Sequence, residues 1–85
     1  MAKVHRREIE TKVRQILAKQ LELKIEEVMK HLSLRDDLGM DSFGAVEFIF
    51  ELKEEFGMEI PERDVIQLKT VEDVVKYLIS RLSKK

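Results

Sequence analysis

Cysteine is absent from the 85-residue chain. This absence excludes a disulfide framework, a zinc-thiolate site and a cysteine nucleophile. Any thioester chemistry in which the protein takes part must therefore use a thiol from another source. No run approaches the roughly 18 consecutive apolar residues that indicate a membrane span, so we expect no stable membrane insertion. The basic N-terminus, Met1–Arg7, lacks the apolar run of a secretory signal, which makes a cytoplasmic protein the expectation.

The length of the chain is that of one domain, and we expect residues 1–85 to form a single, monomeric unit. A domain of this size buries a smaller fraction of its surface than a large one. It has room for one compact core but little room for a deep, enclosed active site.

Charge is distributed unevenly, although the net charge is only -1. Residues 1–20 carry six basic and two acidic side chains, whereas residues 36–64 carry two basic and ten acidic ones. An acidic middle segment repels nucleic acid and attracts a basic protein surface, so we expect no nucleic-acid partner. A solvated helix face without a partner would give the same pattern.

Apolar periodicity predicts an all-α fold, a small four-helix bundle of three longer helices and one short helix, with a long loop after the first. The predicted helices cover residues 4–19, 42–56, 62–67 and 70–82. Asp41 is a suitable N-cap for the second helix, and Gly57 a suitable end. Residues 21–23 and 28–29 of the loop are expected to insert into the core.

The second helix is apolar on more than one face. On a helical wheel, a core stripe spans roughly 140° to 240° and contains Ala45, Phe48, Ile49, Leu52 and Phe56. A second stripe lies well away from it and contains Phe43, Val46 and Phe50. The second stripe is bordered by Glu47, Glu51 and Glu54. It either packs on another helix of the bundle or is exposed and binds partner proteins, with the acids as a charged rim.

Gly39-Met40-Asp41-Ser42-Phe43 resembles the attachment motif of acyl carrier proteins, commonly Gly-x-Asp-Ser-Leu. Residues 36–38, 59–61 and 70–71 are similar to the flanking pattern of that family. The resemblance covers nearly the whole chain, from about Ile9 to Leu82.

The resemblance implies that a phosphopantetheinyl transferase moves 4′-phosphopantetheine from coenzyme A to Ser42, with Asp41 as part of the motif. It also implies that acyl groups are carried on the thiol of this arm and are partly sheltered between the helices. The acids of the second helix would then dock onto basic patches of acyl-transferring or condensing enzymes. A phosphodiester is favourable at a helix N-terminus, where free amides and the helix dipole face it.

The chain itself is expected to be no enzyme. No base accompanies Ser42 in the sequence, so an external enzyme must activate its hydroxyl. His5 and His31 are far apart and predict no metal site, and no nucleophile–base pair or phosphate loop is recognisable.

Departures from the family pattern leave the cargo and the pathway open. Phe43 and Gly44 stand where a leucine and an acid are common, which leaves the cargo open. Glu22, where a glycine is frequent, Arg63 in the acidic third helix and the basic first helix fit a specialised pathway at least as well as housekeeping fatty acid synthesis. D-Alanyl carrier proteins can also show Asp-Ser-Phe-Gly. Glycine within a helix costs about 1 kcal/mol relative to alanine, so Gly44 indicates either a closely approached backbone or a loosely formed first turn. Fatty acid or specialised acyl and polyketide biosynthesis, an aminoacyl carrier and a non-carrier interaction module remain as interpretations.

Overall fold

The computed structural model describes residues 5–83, which form four α-helices. They are α1 (Arg6–Leu21), α2 (Ser42–Phe56), α3 (Glu62–Val65) and α4 (Val71–Ser83). A 3-10 turn, Ile25–Glu27, lies in the long connection between α1 and α2. No strand is formed between residues 5 and 83, although Ser33 and Thr70 make an isolated antiparallel bridge. The predicted all-α bundle with one short helix is confirmed.

The helix ends follow from local chemistry. Asp41 caps α2, since its Oδ1 accepts a hydrogen bond from the Gly44 amide at 2.7 Å. Gly57 ends α2 in the left-handed conformation, with φ of 59°. Thr70 and Asp73 form a reciprocal capping box at α4, because each side chain accepts a hydrogen bond from the other's amide. Both predicted bounds of α2 and the predicted cap at Thr70 are confirmed.

Two helix ends differ from the prediction by two residues each, and α4 begins and ends one residue later than predicted. α1 continues to Leu21, because Glu22 adopts the left-handed conformation and its amide bonds back to Ala18 and Lys19. The predicted start of this helix at residue 4 lies outside the described residues. α3 ends at Val65, two residues early, because the amides of Gln67 and Leu68 form tighter i to i−3 hydrogen bonds with Asp64 and Val65.

The core lies between α1, α2 and α4 and is closed by the connections. The helices contribute Ile9, Val13, Leu17, Phe48, Leu52, Val71, Val74, Val75 and Leu78. The connections add Val28, Leu34, Met40 and Ile60. Leu21 and Leu23 are partly buried, as predicted for the loop. Met29 is 46% exposed, so its predicted insertion is wrong, whereas the preceding residue, Val28, is fully buried and closes the 3-10 turn through a hydrogen bond from its amide to the Ile25 carbonyl.

The long connection is tied to the bundle by a half-buried arginine of the basic first helix. The Arg14 guanidinium donates to the carbonyls of Val28, at 2.7 Å, and Ile25, at 3.1 Å. Further along, the Met40 amide donates to the Leu34 carbonyl at 2.9 Å. These bonds fix the path of the chain into α2. Within residues 5–83, no helix has the length and apolar character needed to cross a membrane.

Candidate functional site: an exposed serine beside an apolar cleft

Ser42 is the first residue of α2 and is exposed. Within the part of the chain that the structure describes, its hydroxyl makes no hydrogen bond to another side chain or to the backbone. The neighbouring Asp41 carboxylate is turned toward Gly44 as the helix cap and does not engage the hydroxyl. The first amides of a helix have no partner within it. The Ser42 oxygen is therefore accessible to a second protein and lies at the positive end of the helix dipole.

No histidine lies beside this hydroxyl among the described residues. His5 and His31 are exposed and lie in other segments, before α1 and in the long connection. Residues 5–83 also contain no group of three or more histidine, aspartate or glutamate side chains that could hold a metal ion. An unactivated serine hydroxyl is a weak nucleophile, so its reaction needs a base that another protein supplies.

Gln20, at the end of α1, fixes the first turn of α2. Its Nε2 donates to the Gly44 carbonyl at 2.7 Å. A Cβ at position 44 would lie 3.2 Å from Asp41 Oδ1 and 3.4 Å from both Gln20 Nε2 and Met40 Cγ. The glycine is thus explained by close approach of its neighbours and not by a loose helix start. Sequence reasoning missed Gln20; the glycine in the first turn was the one signal that pointed to it.

A cleft opens beside Ser42, between α2 and the two segments that precede α2 and α4. Its volume is about 620 Å³. The apolar part of its lining comes from Leu34, Met40, Ala45, Phe48, Ile49, Val65, Ile66 and Leu68. Its polar part comes from Ser33, Arg35, Asp36, Asp41, Ser42 and Lys69. A chain attached at Ser42 therefore has apolar surface within immediate reach.

The wall of the cleft that α3 provides is tied to α4 by a polar cluster. The Tyr77 hydroxyl donates to Asp64 Oδ2 at 2.6 Å, and Arg81 approaches the same oxygen at 3.4 Å. The Arg81 guanidinium also lies over the Tyr77 ring, 5.5 Å from its centroid. Burial, together with the hydrogen bond to Asp64, raises the pKa of Tyr77. This cluster holds Asp64 in place, and with it the adjacent cleft residue Val65.

The second stripe of α2 is exposed. The exposed fractions are 72% for Phe43, 67% for Val46 and 59% for Phe50. The interpretation in which this stripe packs on another helix of the bundle is therefore wrong. The neighbouring acids Glu47, Glu51 and Glu54 are exposed as well. No salt bridge within residues 5–83 joins any of these three carboxylates to a cation. Ser42, at the start of the same helix, lies between this surface and the cleft.

Known proteins share both the sequence pattern and the fold. The family described as "Phosphopantetheine attachment site" matches residues 11–78. The acyl carrier protein of Thermosynechococcus vestitus is 42% identical over 76 residues, which cover 89% of this chain and 94% of that protein. The acyl carrier protein of Bdellovibrio bacteriovorus is 44% identical over 70 residues, which cover 82% of this chain and 90% of that protein. The solved acyl carrier protein of Enterococcus faecalis gives a TM-score of 0.77 at 35% identity, over 91% of this chain and 98% of that one.

These matches define a carrier domain with a phosphopantetheine attachment site. The chain belongs to the acyl carrier protein family. The residues present fit the group that the family carries, since an exposed hydroxyl at a helix start lies beside a cleft with apolar walls. When bound, 4′-phosphopantetheine supplies a terminal thiol, which this cysteine-free chain lacks.

Proposed function

We propose that Ser42 is the attachment residue and that the protein carries acyl groups as thioesters on the arm attached there. The exposure of the Ser42 hydroxyl at the start of α2 is the observation that supports this most directly. Asp41 contributes by capping the helix, which fixes the backbone that presents the hydroxyl. In attachment, the Ser42 oxygen forms a bond to phosphorus and the nucleotide half of coenzyme A leaves. The hydroxyl proton passes to a base of the transferase, since no side chain of residues 5–83 is hydrogen-bonded to the Ser42 hydroxyl.

Acyl cargo is favoured over aminoacyl cargo by the apolar part of the cleft lining. An apolar chain gains about 0.8 kcal/mol for each CH₂ that it buries there, whereas a D-alanyl group has a single methyl group to bury. The Ser-Phe-Gly likeness to D-alanyl carriers carries less weight, because contact with Gln20 explains Gly44 locally. Fatty acid biosynthesis or a related specialised acyl or polyketide pathway in the cytoplasm is the proposed context.

The exposed face of α2 is the proposed docking surface for partner enzymes. Phe43, Val46 and Phe50 supply an apolar centre, and Glu47, Glu51 and Glu54 supply the charged rim. An interface of this composition fits an apolar spot surrounded by lysines and arginines on a transferase or a condensing enzyme. Since docking would cover the helix that begins at Ser42, it would bring the partner's active site close to the arm.

Intact-mass measurement tests the attachment. The protein is incubated with coenzyme A, magnesium and a promiscuous phosphopantetheinyl transferase, and we expect the mass of a single arm to be added. Ser42→Ala should abolish the addition while helical circular dichroism is retained. The matched control is Ser80→Ala, which removes another exposed helical serine and should accept the arm normally. A folded wild-type protein that takes no arm would contradict the proposal and leave a non-carrier interaction module, for which the exposed face of α2 alone would account.

Competitive loading tests the cargo. The arm-bearing protein is offered an acyl-activating ligase with a fatty acid and, separately, a D-alanine-activating ligase. We expect faster loading of the acyl group. Preferential loading of D-alanine would overturn the proposed cargo but not the proposed attachment at Ser42.

A further inference from the structure

Two cations line the cleft that begins at Ser42. Arg35 comes from the turn that leads into α2, and Lys69 from the connection between α3 and α4. Their segments are paired, since the Leu34 amide donates to the Lys69 carbonyl at 2.9 Å and Ser33 bridges Thr70. The fold thus brings one arginine and one lysine from distant parts of the sequence to a single cleft.

Neither cation is used by the scaffold. Within residues 5–83, Arg35 and Lys69 take part in no salt bridge and no side-chain hydrogen bond, whereas Arg6, Lys12 and Arg81 each contact a carboxylate. The remaining charged groups of the cleft are the carboxylates of Asp36 and Asp41. Asp41 Oδ1 is already engaged by the Gly44 amide.

An anion attached to Ser42 would therefore enter a cleft with two carboxylates and two uncommitted cations. The carboxylates repel it, and the cations are the groups that offset this repulsion. The phosphodiester of the arm is bonded directly to the Ser42 oxygen, so it must lie at the part of the cleft that Ser42 lines. Arginine offers a planar donor fork suited to phosphate oxygens, and lysine a compact point charge.

We propose that Arg35 and Lys69 form an anion subsite that binds the phosphodiester of the arm attached to Ser42. This inference rests on the proposed attachment. Binding at the subsite draws the start of the arm toward the cleft and away from the exposed face of α2. The contact is partly solvated, because both cations are exposed, and salt therefore weakens it.

Thermal unfolding before and after attachment tests the subsite. The change in Tm caused by the arm is measured for the wild type and for the double variant Arg35→Gln/Lys69→Gln. We expect the arm to raise Tm by about 4 °C more in the wild type than in the variant at low salt. We expect this difference to fall by more than half at 1 M salt, where the Debye length is about 3 Å. The phosphorus NMR signal of the arm should also shift between the two proteins.

A matched double variant controls for the loss of two positive charges. Arg7→Gln/Lys24→Gln removes one arginine and one lysine that do not line the cleft. It should show the wild-type response of Tm to the arm. Equal responses in all three proteins, with the arm verified by mass, would overturn the subsite and leave the attachment intact. If Ser42 accepts no arm, the attachment and the subsite fail together, and the mass spectrum shows this before any melting experiment.

Two samples with different groups on the arm decide whether the subsite binds the phosphodiester or an anionic cargo. An arm with a free thiol carries only the phosphodiester charge, and the Tm difference is expected to be present already in this state. A second sample carries a cargo with a terminal carboxylate. If the wild type and the double variant differ in their Tm response only when the arm carries this carboxylate, the proposal is overturned in favour of a subsite for anionic cargo.

Discussion

Replacing Glu22 by glycine should stabilise this protein. Glu22 follows α1 with φ of 57°, and it is the one non-glycine residue with positive φ between residues 5 and 83. The left-handed conformation brings Cβ too close to the carbonyl oxygen, at a cost of roughly 1–2 kcal/mol for a residue with a side chain. Glycine removes this strain but has more conformational freedom to lose on folding. The expected net gain is about 1 kcal/mol, or about 4–8 °C in Tm for a domain of this size.

The glutamate also places a negative charge at the helix C-terminus, which is unfavourable by a few tenths of a kcal/mol. Glu22→Ala separates the two effects, because it removes the charge and keeps the Cβ. Urea unfolding of the three proteins, at constant m-value, gives the comparison. The free energy of unfolding of Glu22→Gly should exceed that of Glu22→Ala by about 1 kcal/mol. Equal gains in the two variants, or a loss in the glycine variant, would refute the assignment of strain to this position.

Two further predictions concern α2 and the cluster at Tyr77. Phe48→Ala should lower the free energy of unfolding by about 3–5 kcal/mol, because the ring is buried. Phe50→Ala should change it by less than about 0.5 kcal/mol but should slow arm transfer by the transferase. Urea unfolding measures the stabilities and timed mass spectra the transfer, and equal destabilisation by the two variants would contradict the assigned faces. Burial and the hydrogen bond to Asp64 raise the pKa of Tyr77 above its ordinary value of about 10. The folded state therefore holds the phenolic proton more tightly than the unfolded state, and this contribution to stability is present at neutral pH and lost as pH rises through the folded-state pKa. Tyr77→Phe should flatten the alkaline fall in unfolding free energy measured between pH 9 and 11.5, and an unchanged slope would count against the cluster.

The sequence was sufficient for α2 because every determinant of that helix is local. Asp41 caps its start, Gly57 ends it, and its core stripe repeats with the helical period. The exposure of Phe43, Val46 and Phe50 was not decidable from the same residues. Whether an apolar stripe is covered depends on where the other helices lie, and neither propensity nor periodicity contains that information.

The cleft and its cations were beyond sequence reasoning for a related reason. Arg35 and Lys69 lie in segments without periodicity, and these segments meet because residues 33 and 34 pair with residues 69 and 70. The early end of α3 was also missed, because apolar periodicity does not distinguish the i to i−3 hydrogen bonds of the Gln67 and Leu68 amides from those of an α-helix. The contact between Gln20 and Gly44 needs the crossing of α1 and α2, which the sequence does not specify.

The basic residues of α1 have a structural explanation, and it distinguishes the acids of α2 that are paired within the bundle from those that are not. Arg14 holds the long connection through two backbone carbonyls, and Lys12 pairs with Glu55 at the end of α2. The hydrogen bond and the charge of Glu55 raise the pKa of Lys12. Lys12 of α1 thus neutralises Glu55, whereas Glu47, Glu51 and Glu54 form no salt bridge with any residue between 5 and 83. Because these three acids adjoin the exposed apolar stripe, the charge asymmetry of the sequence separates the basic residues that hold the bundle together from the proposed docking surface, at whose start Ser42 lies.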